Sequence, residues 1–164
     1  EYDRVLRLDD DVLITPRCPN VFNFPKRKIY GTREDVGSRL KDRRKQIKII
    51  KKSLGGAVKW RQFYINSGVI LSDAMHQPIF SFSMDALRTR NLGSFKEQSY
   101  LNYNIFKLNF PIEDLGYKFN FLRIFEESWA QKERRSSFII HYAGAQDEKP
   151  RRIKEDYRYF FKSS

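Results

Sequence analysis

Three consecutive carboxylates lie between two short apolar segments near the start of the chain. Residues 5–8 predict a strand that is at least half buried, and Asp9, Asp10 and Asp11 follow it directly. A second apolar segment at residues 12–14 limits how far the three like charges can separate into water. A divalent cation with oxygen ligands would relieve their mutual repulsion. The segment therefore predicts a cation site, and the alternative is an acidic turn on the surface.

The alternation of side chains along an extended strand separates the three carboxylates. Asp9 and Asp11 would point to one side of the chain and Asp10 to the other. Ligands of open α/β sheets bind beyond the carboxyl ends of the strands, which is where this segment would lie. We therefore expect Asp9 and Asp11, spaced as Asp-x-Asp, to be the cation-binding unit.

The length and composition restrict the chain to one domain, or to one domain with an appended tail. The chain has 164 residues, of which 40% are hydrophobic and 15% aromatic, enough to form a buried core. No apolar stretch approaches the roughly 18 residues of a membrane-spanning helix, and no signal peptide is predicted. The single cysteine, Cys18, excludes an internal disulfide, favours a reducing compartment and is also compatible with a secretory lumen.

The chain is strongly basic, with a formal net charge of +12 and a pI near 9.9. This charge predicts an anionic partner, which is a nucleic acid, an anionic membrane surface or a phosphate-bearing substrate. Cations concentrate in residues 39–54 and in the tail from residue 149, where aromatic side chains alternate with them. These segments support a nucleic-acid-binding domain or a metal-dependent nuclease as alternatives, although no known nucleic-acid-binding motif is present.

Strand-like and helical segments alternate along the chain, which favours a three-layer α/β arrangement. The hydrophobic pattern predicts further strands and helices, with strands at residues 28–31, 63–71 and 138–142 and helices at residues 39–54, 77–90 and 97–108. The tail from residue 149 is also predicted to be helical, and residues 109–125 are aromatic and irregular.

Polar residues stand beside several of these segments. They are Asn66, Ser67 and Gly68 within a strand, Glu97, Gln98 and Asn102 at the start of a helix, and His141, Gly144 and Lys149 after a strand. Two aspartates and a neutral imidazole are a reasonable ligand set for Mn²⁺, so His141 is the candidate third ligand. The alternatives are a packed histidine and, for Glu97, an acidic residue that favours the helix dipole.

Four short segments, in the same order, resemble motifs of the retaining glycosyltransferases of family 8, the glycogenin and lipopolysaccharide galactosyltransferase group. Residues 2–12 are similar to Y-D-[KR]-V-[LI]-Y-[LI]-D-x-D-x, and residues 65–69 to F-N-[SA]-G-V. Residues 97–102 resemble D-Q-D-x-[LF]-N, and His141 to Gly144, followed by Lys149 and Pro150, resemble H-[YF]-x-G-x-x-K-P-W. Together the segments cover nearly the whole chain.

The resemblance implies a GT-A-like three-layer sandwich with a mixed, mainly parallel sheet. It implies a catalytic domain at residues 1–148, the C-terminal portion of such a fold, followed by a basic aromatic tail at residues 149–164. Because the chain begins at the first strand of the resemblance, we expect the family's N-terminal nucleotide-binding part to be missing from it.

The resemblance also implies a role for each matched residue. Asp9, Asp11 and His141 would hold Mn²⁺ or Mg²⁺. Gln98 and Glu97 would be the catalytic residues beside the donor sugar. The residues implied to bind the nucleotide-sugar are Asp9, Asp10, Asn66, Ser67, Gly68, Gly144 and Lys149.

The activity implied by the resemblance is transfer of a sugar from a nucleotide-diphosphate sugar, a UDP-sugar above all, to a hydroxyl group of a carbohydrate or protein. Because glutamine is a poor nucleophile, we expect retention by attack of the acceptor from the face of the leaving group. The tail would contact an anionic membrane surface, and nucleic acid is not the expected partner.

The chain departs from the family motifs at two places. Glu97 stands where the family has aspartate, so that its carboxylate reaches about one methylene further. Four residues separate Gly144 from Lys149 where the family has two, and Arg151 replaces the tryptophan. Lys149, Arg151 and Arg152 are therefore alternatives for the contact with phosphate.

Overall fold

A computed structural model of the chain describes residues 2–55, 58–60, 63–81, 96–144 and 147–162. Strands and helices alternate, as the sequence predicts. The strands are β1 (Arg4–Leu8), β2 (Val12–Ile14), β3 (Ile29–Arg33), β4 (Ile65–Asp73), β5 (Ile112–Asp114) and β6 (Ile139–His141). The α-helices are α1 (Leu40–Leu54), α2 (Lys96–Lys107) and α3 (Lys149–Phe161).

Four strands form a mixed sheet in the order β1-β4-β3-β5, and β2 and β6 form a separate antiparallel pair. The prediction of an α/β fold with a mixed sheet is confirmed. The expectation that the sheet is mainly parallel is wrong for the described strands, because β4 runs antiparallel to both of its neighbours and only β3 and β5 are parallel. Alternation of strands and helices favours parallel neighbours only when the helix is a crossover between parallel strands. Here α1 connects β3 and β4, which are neighbours but antiparallel, and this explains the error.

Each face of the four-stranded sheet is covered by a different layer. On one face Ile65 and Ile70 of β4 pack with Leu101 and Ile105 of α2, and α1 packs beside α2. On the other face Val69 and Leu71 of the same strand pack with residues of β2, β6 and the turns between β5 and β6. Val69, Ile70 and Leu71 alternate between the two cores, so this end of the strand is buried on both faces. The alternation does not extend to Ile65, which lies beyond a register shift in the pairing of β3 with β4.

The helices follow the predicted pattern with small shifts at their ends. The helices predicted at residues 39–54 and 97–108 are observed as α1 and α2, and the predicted tail helix is observed as α3. The helix predicted at residues 77–90 is replaced at its start by a 3₁₀-helix, Ala74–Phe80, and its residues 82–90 lie outside the described part of the chain. None of the described helices is long and apolar enough to span a membrane.

The segment at residues 109–125, predicted to be irregular, contains strand β5 and two 3₁₀-helices, Tyr117–Phe119 and Arg123–Glu126. The strand was missed because it is only three residues long and contains a single buried residue, Ile112. Such a short strand has no visible alternation, so hydrophobic periodicity cannot detect it. Its pairing with β3 is long-range in sequence and becomes visible only in the folded sheet.

Candidate metal centre

The ends of three strands bring the acidic segment and the histidine together. The pairing of β1 with β4 ends where Leu8 lies opposite Val69, and the amide of Asp9 donates a hydrogen bond to the carbonyl of Gly68 at 2.9 Å. Strand β2 begins with Val12 opposite His141 of β6. The turn between β1 and β2, which carries the three aspartates, is therefore held between β4 and β6.

Two aspartates and His141 form the candidate metal centre. The Nε2 atom of His141 lies 3.1 Å from an oxygen of Asp11 and 3.6 Å from an oxygen of Asp9. One potential ligand atom from each residue lies within 4.8 Å of the others, and within the described ranges this is the only such group of three or more. Two carboxylates and an imidazole are ligands that suit Mn²⁺, and the carboxylate oxygens also suit Mg²⁺. These residues therefore fit a divalent cation.

Gly68 makes room for the imidazole. A Cβ atom at this position would lie 2.1 Å from Cε1 and 2.5 Å from Nδ1 of His141, distances that atoms cannot adopt. The His141 ring therefore packs directly on the backbone of β4, and the residue is only 5% exposed. The glycine within the strand marks the close approach of a functional side chain to the backbone, one of the meanings of glycine in a strand interior.

Lys149, the first residue of α3, contributes a positive charge to the same place. Its Nζ atom lies 2.7 Å from Oδ2 of Asp11. Burial alone would raise the pKa of the Asp11 carboxyl, but the hydrogen bond from Lys149 and the charges of His141 and Lys149 outweigh burial and lower this pKa. For His141, burial lowers the pKa, and the nearby Asp11 and Asp9 offset the effect only in part. The imidazole is therefore held in its neutral form, the form that binds a metal.

The structure places the other predicted residues at different distances from the centre. Asn66, Ser67 and Gln98 form one hydrogen-bonded group, in which Oε1 of Gln98 accepts from the side chain of Asn66 and the amide of Ser67, each at 3.1 Å. Glu97 is exposed, and its carboxylate binds Arg7 at 2.6 Å.

Two predicted residues, Asp10 and Gly144, are exposed and do not join the group of ligands. Asp10 is exposed and does not belong to the group formed by Asp9, Asp11 and His141. Gly144 is exposed and has a φ of +74°, a backbone conformation that favours glycine.

Sequence reasoning missed four residues that surround the centre. They are Arg7, Asn120, Glu34 and Arg43. Arg7 binds Glu97, Asn120 binds His141, and Glu34 and Arg43 form a buried pair. Arg43 had a detectable signal, because it takes one place in the apolar series formed by Leu40, Ile47, Ile50 and Leu54 at helical spacing, so a buried charge was predictable there. Asn120 had none, because it lies between short 3₁₀-helices with no periodic pattern.

Comparison of the whole fold relates the chain to a known glycosyltransferase. It is similar to the crystal structure of the galactosyltransferase LgtC in complex with donor and acceptor sugar analogues, with a TM-score of 0.58 and 17% sequence identity. The similarity covers 98% of this chain and 63% of that one, so the chain spans less than two thirds of the length of this neighbour. No protein-family model matches the sequence, and no curated protein matches it either.

This similarity shows the fold. The chain shares the GT-A fold of this neighbour, which confirms the α/β fold class with a mixed sheet that was expected from the sequence. Within this fold, Asp9, Asp11 and His141 form a group with the geometry of a possible metal site.

Proposed function

We propose that the chain is the C-terminal portion of a metal-dependent glycosyltransferase of the family 8 type. It moves a sugar from a nucleotide-diphosphate sugar to a hydroxyl acceptor, with retention of configuration. The observation that carries the proposal is the approach of Asp9, Asp11 and His141 from two distant parts of the sequence, within a GT-A fold. The catalytic domain extends over residues 1–148. The basic aromatic tail at residues 149–164 contributes Lys149 to the site, and the rest of the tail has a separate role.

In this proposal Asp9, Asp11 and His141 hold Mn²⁺ or Mg²⁺. Departure of the sugar from a nucleotide diphosphate leaves new negative charge on the phosphates while the sugar becomes oxocarbenium-like. A bound divalent cation neutralises that charge and stabilises the transition state more than the ground state. Arg7 lies 3.9 Å from Oδ1 of Asp9, whereas the other oxygen of this carboxylate faces His141.

Lys149 is the residue proposed to contact the diphosphate. Among the three alternatives only Lys149 binds a carboxylate of the candidate metal centre. Arg151 binds Glu155 of its own helix, and Arg152 binds Glu126 at 2.5 Å. The ion pairs of the two arginines therefore support Lys149 for this contact, although its spacing from Gly144 departs from the family motif.

The proposed donor-sugar site is the group of Asn66, Ser67, Gly68 and Gln98 beside His141, with Gly144 and Asp10 at its edge. Gln98 is 6% exposed, and its amide oxygen already accepts hydrogen bonds from β4. An amide engaged in this way is a poor nucleophile, which supports attack of the acceptor from the face of the leaving group. Glu97 lies next to it on the exposed side and is proposed to face the donor sugar or the acceptor.

The proposed partners are a UDP-sugar as donor and a carbohydrate or protein as acceptor. Helix α3 is proposed to contact an anionic membrane surface. Tyr157 and Phe161 of this helix are 47% and 44% exposed and stack at 5.2 Å, and Arg158 lies on the same exposed side. Exposed aromatic rings beside cations are typical of helices that lie at a membrane interface.

The proposed function is tested by thermal unfolding with Mn²⁺ and a panel of nucleoside diphosphates. We expect one nucleotide to raise the melting temperature only when Mn²⁺ is present, because a ligand that binds the folded state stabilises it. Asp11→Asn should abolish this effect, whereas Asp42→Asn, at an exposed site in the first turn of α1, should preserve it.

Two results would contradict parts of the proposed function. A steeply salt-dependent affinity for oligonucleotides, without any joint effect of metal and nucleotide, would overturn the proposal in favour of a nucleic-acid-binding domain. Retention of the metal-dependent stabilisation in Asp11→Asn would remove this carboxylate from the metal centre.

A further inference from the structure

A continuous chain of buried polar side chains runs from the candidate metal centre to helix α1. Each member is at most 6% exposed and hydrogen-bonds to the next. In order from the centre the members are His141, Asn120, Asn66, Gln98, Glu34 and Arg43. Buried polar groups are costly unless they are paired, so the orientation of every amide in the chain has an energetic consequence.

Backbone amides determine the orientation of the two middle members. The amide of Gly68 donates to Oδ1 of Asn66 at 2.8 Å, so the NH₂ group of Asn66 faces Gln98 at 3.1 Å. The amide of Ser67 donates to Oε1 of Gln98 at 3.1 Å, so the NH₂ group of Gln98 faces Glu34 at 2.5 Å. A backbone amide is always a donor, so neither side chain can be reversed without placing two donors together.

The hydrogen-bonded series of side chains ends on α1 in an ion pair, which allows hydrogen bonds to be donated in one direction only. Arg43 donates to both oxygens of Glu34, at 3.0 and 2.7 Å, and the arginine is fully buried. The paired carboxylate can only accept hydrogen bonds, so it requires the NH₂ group of Gln98 as its neighbour. The ion pair and the two backbone amides thus require the same direction of donation.

The same direction continues to His141 through Asn120. Because Oδ1 of Asn66 accepts hydrogen bonds, the group of Asn120 that lies 3.0 Å away must be its NH₂. The oxygen of Asn120 then faces Nδ1 of His141 at 3.0 Å, and this nitrogen must carry the proton. The lone pair of the other nitrogen, Nε2, is left facing the carboxylates of Asp9 and Asp11.

We infer that Asn120 is a positioning residue that holds the proton of His141 on Nδ1 and thereby keeps Nε2 free to bind a metal. The Glu34–Arg43 pair and the amides of β4 fix the direction in which Asn120 presents its oxygen. The metal-binding part of the inference rests on the proposed function, whereas the position of the proton on His141 does not. Partners of this kind behind a metal-binding histidine fix its tautomer and orientation.

His76 provides an internal comparison with the opposite tautomer. The amide of Asp73 donates to Nδ1 of His76 at 3.0 Å, so His76 must carry its proton on Nε2. The chain contains only these two histidines. The structure therefore assigns a different tautomer to each.

The first test is a long-range ¹H–¹⁵N NMR spectrum of the imidazoles in the full chain without metal, at a pH well above the histidine range. We expect one ring protonated on Nδ1 and one on Nε2, with His141→Gln removing the signals of the former. Asn120→Ala should leave His141 as a mixture of tautomers. Asn120→Asp gives up the hydrogen bond to Asn66 but still accepts from Nδ1 of His141, so it should restore the single form. A proton on Nε2 of His141 in the wild type would overturn the inference.

The second test is a titration of the same variants with Mn²⁺. Binding is detected by calorimetry or by the paramagnetic effect of the bound metal on the NMR signals. We expect Asn120→Ala to weaken Mn²⁺ binding roughly 10- to 100-fold, and Asn120→Asp to bind more tightly than Asn120→Ala. Asn104→Ala is the matched control, because Asn104 is also buried but binds the carbonyl of Ile79. Equal weakening in Asn104→Ala would reduce the role of Asn120 to one in general stability and overturn the inference.

The two tests separate the inference from the proposed function. If the wild type binds no Mn²⁺ but keeps His141 protonated on Nδ1 through Asn120, the proposed function fails and the positioning role stands. If Mn²⁺ binds tightly and equally with and without Asn120, the metal centre stands and the positioning role fails. Should Asn120→Ala fail to fold, the wild-type tautomer and the behaviour of Asn120→Asp decide the matter.

Discussion

The ammonium group of Lys149 lies 2.7 Å from Oδ2 of Asp11, so a residue of the last helix neutralises a carboxylate of the first strand end. Both side chains are less than one fifth exposed. The same carboxylate belongs to the candidate metal centre, and one oxygen cannot be bound fully by an ammonium group and a divalent cation together. Lys149 and a metal are therefore expected to compete for Asp11.

Lys149→Gln is expected to strengthen the binding of Mn²⁺ in the absence of nucleotide. The ion pair must be given up when a metal binds, and pairs with some solvent contact contribute up to about 1 kcal/mol, which corresponds to roughly a fivefold change in affinity. The same variant should bind nucleoside diphosphate with Mn²⁺ more weakly than the wild type. Calorimetric titration measures both affinities, and Lys154→Gln, on the exposed side of α3, is the control. If Lys149→Gln bound Mn²⁺ more weakly than the wild type in the absence of nucleotide, the expectation would be contradicted.

Gly68→Ala is expected to disrupt the candidate metal centre. The new Cβ would lie 2.1 Å from the ring of His141, so the imidazole or the strand must move. Overpacking of this kind costs about 1–3 kcal/mol of unfolding free energy, and the displaced ring should lose most of its contribution to Mn²⁺ binding. Denaturant unfolding and Mn²⁺ titration measure the two effects, with Ser72→Ala in the same strand as the control. An unchanged Mn²⁺ affinity would show that the imidazole does not need its present position.

Arg43→Met is expected to lower the free energy of unfolding by roughly 3–5 kcal/mol, because it leaves the carboxylate of Glu34 buried and unpaired. Combining it with Glu34→Gln removes the charge as well and should recover part of the loss. Denaturant unfolding of the two single variants and the double variant measures the coupling. The matched control is the exposed pair of Lys28 and Glu113, whose removal should change the free energy of unfolding far less. Equal losses for the two pairs would contradict the expected effect of burial.

The unfolding free energy is expected to fall as the pH decreases below about 6.5. Burial lowers the pKa of His76, and the charge of Asp73 offsets this effect only in part. The unfolded chain therefore binds more protons than the folded chain in this range, so stability is complete above the pKa of the unfolded state and is lost as the pH falls toward the folded-state pKa. His141 acts in the same direction, because its pKa is also lowered.

His76→Asn tests this pH dependence. The Asn side chain can still accept the hydrogen bond from the amide of Asp73, but it does not titrate in this range. We expect a shallower loss of stability between about pH 7 and pH 5 than in the wild type. Denaturant unfolding at a series of pH values measures the slope, and an identical slope in the variant would exclude His76 as a source.

The elements of the fold were largely predictable because their hydrophobic periods are clear. Leu40, Ile47, Ile50 and Leu54 predict α1 from their spacing alone. Residues 63–71 have the residue types of a strand, interrupted at residues 66–68. The direction of β4 relative to β1 and β3 was not predictable, because it depends on how the connections cross the sheet. That property belongs to the assembled sheet and leaves no local pattern.

The ligands of the candidate metal centre were easier to predict than their supports. Carboxylates at the end of a strand and a histidine at the end of another are recognisable by residue type, so Asp9, Asp11 and His141 could be grouped before any coordinates were known. Asn120 acts through a hydrogen bond across the fold to a residue 21 positions away, and neither its type nor its neighbours in sequence indicate this contact. Such supporting residues require knowledge of atomic positions.

Asp156 of α3 is completely buried and binds Tyr142, Arg134 and Arg135. Tyr142 follows His141 in sequence, so this one carboxylate fastens the helix that begins with Lys149 to the strand that carries the imidazole. The ammonium group of Lys149 and the imidazole of His141 are thus carried to Asp11 by two elements that Asp156 links to each other. A disturbance that loosens Asp156 would shift both the cationic and the neutral partner of Asp11 at once, although Asp156 lies seven residues along the helix from Lys149.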